Sequence, residues 1–219
     1  MAKQIIIAIG RECGSGGRII AEMIGEKMGI EVLDKNLLDD VSEKTSIELK
    51  ELAKYDEKAK IIGRIIGGSK ESEINQVIWD HMKAKSTVGD SFVVVGRCAQ
   101  EVLKANPNLL SVFICGERYD KFARIVDEYG FTDEGEAEEM RKKTDAERER
   151  FHNRYSVFKW GDPSGYDVVL NSSALGLEGT ADAIVKIAQI KSESKVVKIV
   201  DEDEARRKEQ YFRRTNAGF

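Results

Sequence analysis

The chain opens on five apolar residues without alternation, Ile5-Ile6-Ile7-Ala8-Ile9. That pattern suits a parallel strand buried on both faces. Beyond a glycine-rich stretch, Ile19, Ile20, Met23, Ile24 and Met28 recur at helical spacing, with Glu22, Glu26 and Lys27 between them, which predicts an amphipathic helix. Gly29 ends that helix, and Ile30-Glu31-Val32-Leu33 reads as a short second strand. Asp34 closes the strand and can cap a helix beginning at Lys35-Asn36-Leu37-Leu38.

Residues 35–90 then carry almost no strand signal. Ser46, Glu48 to Lys60 and Glu71 to Lys85 read as helical, the last with Ile74, Val77, Ile78 and Met82 on one face. Gly67-Gly68-Ser69 marks a break between helices. The buried-strand pattern returns at Ser91-Phe92-Val93-Val94-Val95-Gly96 and again at Leu109 to Cys115, separated by a short helix from Ala99 to Lys104. A helix over Arg118 to Tyr129 precedes a very charged, mainly helical stretch from Thr132 to Arg154. A loop at Trp160 to Gly165 leads to a last strand, Tyr166 to Asn171, and a last core helix, Leu177 to Lys191.

Strands separated by helices imply an α/β fold with a five-stranded parallel sheet covered on both sides, a three-layer sandwich. Ligands in such folds bind beyond the carboxyl ends of the strands. The expected site is therefore Gly10 with its loop, Asp34, Gly96-Arg97 and Cys115.

Composition changes this picture little. Of 219 residues, 41% are hydrophobic and only two are proline, enough for a sizeable core and too ordered in character for a disordered chain. Acidic residues number 39 against 35 basic, a formal charge of −4. No general attraction to nucleic acid or an anionic membrane follows, so an anion site has to be local. Three scattered cysteines, Cys13, Cys98 and Cys115, form no metal-ligand pattern, and no apolar run reaches the ~20 residues of a membrane span. With no signal-peptide pattern at the N-terminus, a soluble cytoplasmic protein is expected. Asp201 to Glu204 are acidic and Arg206 to Lys208 and Arg213-Arg214 basic, so residues 191–219 read as a charged, solvated tail through which chains could associate.

The chemistry is concentrated at Gly10-Arg11-Glu12-Cys13-Gly14-Ser15-Gly16-Gly17-Arg18. Strand, glycine loop and helix together are the layout of a phosphate-binding loop, in which backbone N–H groups and a helix N-terminus face an anion. The usual pattern is G-x-x-x-x-G-K-[ST]. With Gly16 in the sixth slot, Arg11 takes the first, Gly17 the lysine slot and Arg18 the last. Either Arg18 or Arg11 could replace the missing cation, since guanidinium binds phosphate bidentately. The alternative is a loop that has lost nucleotide chemistry.

Arg97 directly follows a buried strand and a glycine, which aims it into the cleft above the sheet. Arg141, Asp145 and Arg148 share one helical face, a spacing equally ordinary on an exposed helix. Arg150 and Arg154 extend that basic character and could close over a transferring phosphoryl group. His81 and His152 have no partner at metal-ligand spacing and read as structural or exposed, and Cys13 lacks an evident activating base.

These residues resemble the bacterial cytidylate kinase-like family, relatives of the (d)CMP kinases within the nucleoside monophosphate kinase group. The resemblance covers residues 4–190. It rests on Arg11 to Arg18, Leu33-Asp34-Lys35, Val95-Gly96-Arg97, Trp160-Gly161-Asp162-Pro163 with Tyr166-Asp167, and Asn171-Ser172-Ser173. It implies a single P-loop kinase-like domain over 1–190, with a helical monophosphate-binding insert at 35–90 and a lid at 130–160. It also implies that Arg97 binds the acceptor phosphate, and that Arg141, Asp145 and Arg148 match an Arg-x-x-x-Asp-x-x-Arg element that holds CMP. Gly17 departs from true kinases, whose lysine cradles phosphate.

The resulting expectation is an ATP-dependent phosphotransferase acting on (d)CMP or a similar phosphorylated small molecule. Arg11, Gly14, Ser15, Gly16, Gly17 and Arg18 would hold the donor phosphates, and Arg18 and Arg154 would be catalytic. Asp34, Arg97, Arg141, Asp145 and Arg148 would hold the acceptor. Mg²⁺ would arrive with ATP, without a dedicated protein metal site. The alternatives are a regulatory nucleotide-binding protein without turnover, or a kinase with a non-nucleotide acceptor.

Overall fold

The computed structural model describes residues 3–34 and 69–194, and for 69–74 the backbone alone. Five strands form one parallel sheet in the order β2-β3-β1-β4-β5: β1 Ile6–Arg11, β2 Glu31–Leu33, β3 Phe92–Val95, β4 Leu109–Cys115 and β5 Val168–Asn171. β1 lies at the centre, paired with β3 from Ile6↔Phe92 to Ile9↔Val95 and with β4 from Ile6↔Leu109 to Arg11↔Ile114.

The unbroken apolar run at the N-terminus has the consequence expected of a central parallel strand. Ile5, Ile7 and Ile9 point to one face, packing with Ile20 and Ile24 of helix α1 (Gly17–Met28) and Ile184 of helix α6 (Ser172–Glu193). Ile6 and Ala8 point to the other, against Ile78 and Met82 of helix α2 (Ser69–Val88) and Ala99 of the short helix α3 (Ala99–Val102). Each fully buried isoleucine contributes about 1.5–3 kcal/mol to this arrangement.

The helix expected over Glu48 to Lys60, the cap at Lys35 and the break at Gly67-Gly68 lie outside the described residues, as does the tail beyond Ser194. The last strand begins at Val168 rather than Tyr166, because Tyr166 closes a 3₁₀ turn over Pro163–Gly165. The last helix begins five residues earlier than its apolar pattern indicated, at Ser172, and is interrupted at Gly176 (φ 70°, ψ 170°). Asn171 caps its first turn, its side chain accepting from the Ser173 N–H.

Helix α4 (Arg118–Tyr129) and helix α5 (Glu134–Tyr155) form a hairpin. Asp133 caps α5 through the Glu136 N–H. A small cluster of Cys13, Ile125 and Ala137, with Phe122, Val126 and Met140 around it, packs this hairpin on the loop after β1. Among the described residues, no helix is long and apolar enough to cross a membrane.

Candidate active site

The C-terminal ends of β1, β2 and β3 carry the residues singled out by the sequence: Arg11, Asp34 and Gly96-Arg97. Between β1 and α1 the backbone turns through two left-handed glycines, Gly14 and Gly16, both at φ 75°. Gly16 caps α1 without a side chain, and the helical ladder begins only at the Ile20 N–H, which donates to Gly16 O at 2.9 Å. The N–H groups of Gly14, Gly16, Gly17 and Arg18 have no acceptor among the described residues. Such a set of unpaired donors at a helix N-terminus attracts an anion. Ser15 serves the loop itself: its hydroxyl donates to Glu12 O at 2.9 Å and its carbonyl accepts from Ser172 Oγ at 2.8 Å.

Arg11 runs from the end of β1 across the loop. Its Cβ and Cγ lie against Gly17, and its guanidinium reaches Gly96 at the end of β3. Burial pushes the Arg11 guanidinium down to about 9, Arg148 and Arg97 add to this, and Asp34 opposes them. Arg11, Arg97 and Arg148 are thus electrostatic neighbours, one from each of three separate chain segments. Arg148 also donates to Arg11 O at 3.3 Å.

Arg18 is turned the other way. Its Nε sits 3.1 Å from Glu22 Oε1, one turn along α1, and 3.1 Å from Asp34 Oδ2. The expected substitution of Arg18 for the missing lysine therefore meets a competitor: the guanidinium is engaged by two carboxylates. Asp34 is shared between Arg18 and the field at Arg11.

At β3 the backbone remains left-handed through three residues, Gly96 (φ 79°), Arg97 (φ 55°) and Cys98 (φ 56°). The Trp79 indole N–H of α2 donates to Arg97 O at 2.9 Å, and the same ring meets Tyr155 edge-on at 4.9 Å.

Helix α5, in the stretch expected to include a lid, sits directly on the glycine loop. Asp145 Oδ1 accepts from the Cys13 N–H at 2.6 Å, and Oδ2 accepts from Arg141 Nη1 at 3.2 Å. Burial pushes the Asp145 carboxyl up, while the Cys13 amide and Arg148 pull it down. Arg141 is held bidentately by Glu138 at 2.9 and 3.0 Å, and its side chain holds the Glu138 carboxyl down at about 2. Arg141, Asp145 and Arg148 do share a face, but Arg148 alone of the three sends its cation toward Arg11. Arg154 is not brought to this group: it is exposed, its guanidinium 5.9 Å from the Tyr155 ring centre.

Two residues at the loop, Lys121 and Arg124, carried no signal of their own in the sequence. Lys121 of α4, buried, donates to Glu12 Oε2 at 2.7 Å, and the Gly116 N–H donates to the same oxygen at 3.1 Å. Arg124 donates to Gly14 O at 3.0 Å. A lysine or arginine on a charged helix is ordinary, so only the packing of α4 against the loop reveals them.

His152 is buried, with Gln100 Nε2 3.2 Å from Nδ1 and the Phe158 carbonyl 3.1 Å from Nε2; burial lowers its proton affinity. Burial pushes the Cys13 thiol up and the Cys98 thiol up to about 12, so neither is a ready thiolate nucleophile. Among the described residues, no group of three or more His, Cys, Asp or Glu is arranged to hold a metal ion.

The sequence profile of the cytidylate kinase-like family matches residues 6–174, from β1 through the start of α6. The chain belongs to the cytidylate kinase-like family. A cytidylate kinase from Archaeoglobus fulgidus is 24% identical over 188 residues, spanning 84% of this chain and 95% of the relative. A solved structure of an uncharacterized protein from Eubacterium ventriosum is 34% identical, with a TM-score of 0.69, covering 85% of this chain and 99% of that one. Shikimate kinase from Bacteroides thetaiotaomicron superposes with a TM-score of 0.52 at 12% identity over 84% of this chain and 98% of its own. That likeness is one of fold: a parallel α/β sandwich of the P-loop kinase type.

Membership of this family supports a kinase-type phosphotransferase, and the site has the parts such chemistry asks of a protein. Phosphoryl transfer needs positioning and charge neutralisation more than covalent participation.

Proposed function

We propose that this protein transfers a phosphoryl group from ATP to a phosphorylated small molecule, with (d)CMP the first candidate. The observation that carries this reading is the convergence of Arg11, Arg97 and Arg148 beside the unpaired N–H groups of Gly14, Gly16, Gly17 and Arg18. A phosphate there would add to the countercharge that Asp34 and Asp145 already give Arg11 and Arg148. The loop N–H groups fit the donor's phosphates, and Mg²⁺ would enter as the counter-ion of those phosphates, where it would neutralise charge developing on the transferred group. Arg97 and Arg148 fit an acceptor phosphate, with Asp145 and Arg141 beside them on α5.

The test is a screen of nucleoside monophosphates with Mg-ATP, following ADP release, with calorimetric binding of the same ligands in parallel. Turnover with one monophosphate well above the ATPase background is the expected result. Nucleotide binding without turnover would instead identify a regulatory nucleotide-binding protein, and turnover with phosphorylated non-nucleotides alone would move the acceptor class.

A further inference from the structure

Slots one and seven of the glycine loop are exchanged relative to the usual pattern, in which slot one is glycine and slot seven lysine. Here slot one is Arg11 and slot seven Gly17. The two positions touch. A Cβ at Gly17 would lie 2.6 Å from Arg11 Cβ and 2.9 Å from Arg11 Cγ. Those atoms are the rigid root of the arginine side chain, not its mobile end, so no side chain fits at position 17 while Arg11 holds its place. The arginine stem thus fills the space where a lysine stem would leave the helix.

The far end of the same side chain has its own accommodation. A Cβ at Gly96 would come 2.3 Å from Arg11 Nη1. That end could swing aside, but Gly96 is also at φ 79°, where a Cβ is disfavoured in any case. Two glycines, one on α1 and one after β3, therefore form a track along which Arg11 reaches from the donor loop to the Arg97 turn. Arg18, the other candidate cation, is drawn off this track by Glu22 and Asp34.

We propose that Arg11 and Gly17 are a coupled exchange: Arg11 delivers from the first slot the cation that conventional loops deliver from the seventh. Its guanidinium is then the catalytic group that neutralises the phosphoryl group in transit between the loop and Arg97. The second statement rests on the phosphotransferase reading; the first does not. Arginine is suited to the longer reach, because its fork can hold oxygens of two phosphates at once.

Five variants test this in the full-length chain: Arg11→Met, Arg11→Gly, Gly17→Lys, the double change Arg11→Gly with Gly17→Lys, and Arg18→Ala. Thermal melting, calorimetric binding of ADP and of inorganic tripolyphosphate, and turnover are measured on each. Arg11→Met keeps the stem and removes the charge, so it should melt near the parent while binding both probes roughly 10- to 100-fold more weakly. Gly17→Lys alone should melt lower than the parent and bind no better. The double variant should melt higher than Gly17→Lys and recover binding lost in Arg11→Gly. Gly17→Lys tolerated without loss of melting temperature, a double variant that merely sums the two single losses, or Arg11→Met with parental affinity would each overturn the exchange. A larger loss of tripolyphosphate affinity in Arg18→Ala than in Arg11→Met would return the role to Arg18. If the parent binds ADP but turns over no acceptor, the phosphotransferase reading fails and the exchange is still decided by melting and binding. If the parent binds neither ADP nor tripolyphosphate, both fail.

Discussion

Gly96 can hold a left-handed backbone at little cost, but Arg97 and Cys98 carry a Cβ, and each left-handed residue of that kind costs roughly 1–2 kcal/mol. Something has to hold them there, and the Trp79 indole N–H on Arg97 O is placed to do it. Trp79→Phe keeps an aromatic ring beside Tyr155 and removes the indole donor together with part of the ring. The loss of one such bond is worth about 0.5–1.5 kcal/mol, so acceptor binding should weaken by roughly 2- to 10-fold, with ADP affinity unchanged. Calorimetric titration of Trp79→Phe with CMP and with ADP separates the two. A fall in ADP affinity with CMP affinity intact would remove Trp79 from any role at the Arg97 turn. Nothing in the sequence singles out Trp79, since a tryptophan among Ile78 and Met82 on one helix is most simply core. The place of Arg97 at the end of β3 was legible, because a buried apolar run ending in glycine marks where that strand stops.

At the scale of elements, the glycine loop is held from outside by α4 as much as from inside by β1 and α1. Lys121 is buried against Glu12 of the loop, and Arg124 holds Gly14 O. A buried ion pair adds little net stability over apolar replacements, but removing one partner strands a charge, at a cost of about 3–5 kcal/mol when burial is complete. Glu12 is partly exposed and keeps the Gly116 N–H, so Lys121→Met should cost less, about 2 kcal/mol. Adding Glu12→Gln to that variant should recover part of the loss. Urea unfolding of the two single variants and the double would show it; equal, additive losses would mean that the pair does not hold α4 to the loop. The strands and most helices could be read from period and punctuation, because five apolar runs and their glycines permit few other arrangements. The docking of α4 and α5 could not. α5 is dominated by charge along its length and offers little beyond Ala137 and Met140; α4 does carry an apolar stripe, Phe122, Ile125 and Val126, but a stripe says that the helix packs and not that Cys13 of the loop is what it packs on. For the same reason the spacing of Arg141, Asp145 and Arg148 correctly put three residues on one face without showing that Glu138 occupies Arg141, or that Asp145 grips the loop backbone.

Across the whole molecule, the residues proposed for the donor and those proposed for the acceptor are joined by direct contacts. Asp145 and Arg148 lie on α5 with the acceptor candidates, yet they bond to the Cys13 N–H and to Arg11 O of the donor loop. Arg11 in turn spans from that loop to the Arg97 turn. A ligand that draws Arg148 or Asp145 toward an acceptor phosphate must change how the loop is held, and a phosphate on the loop must change what those side chains can reach. Binding at the two places should therefore be coupled, and by linkage any coupling is reciprocal. ADP and CMP together form a pair that cannot react forward, so the effect can be measured at equilibrium. The ADP dissociation constant with and without saturating CMP should change by about 5-fold or more, and that of CMP with and without ADP by the same factor. Asp145→Asn keeps the shape of the side chain but weakens its hold on the Cys13 N–H, and should bring the factor toward one. A factor of one in the parent chain would show that α5 touches the loop without transmitting anything to it, and that Arg148 belongs to only one of the two ligands.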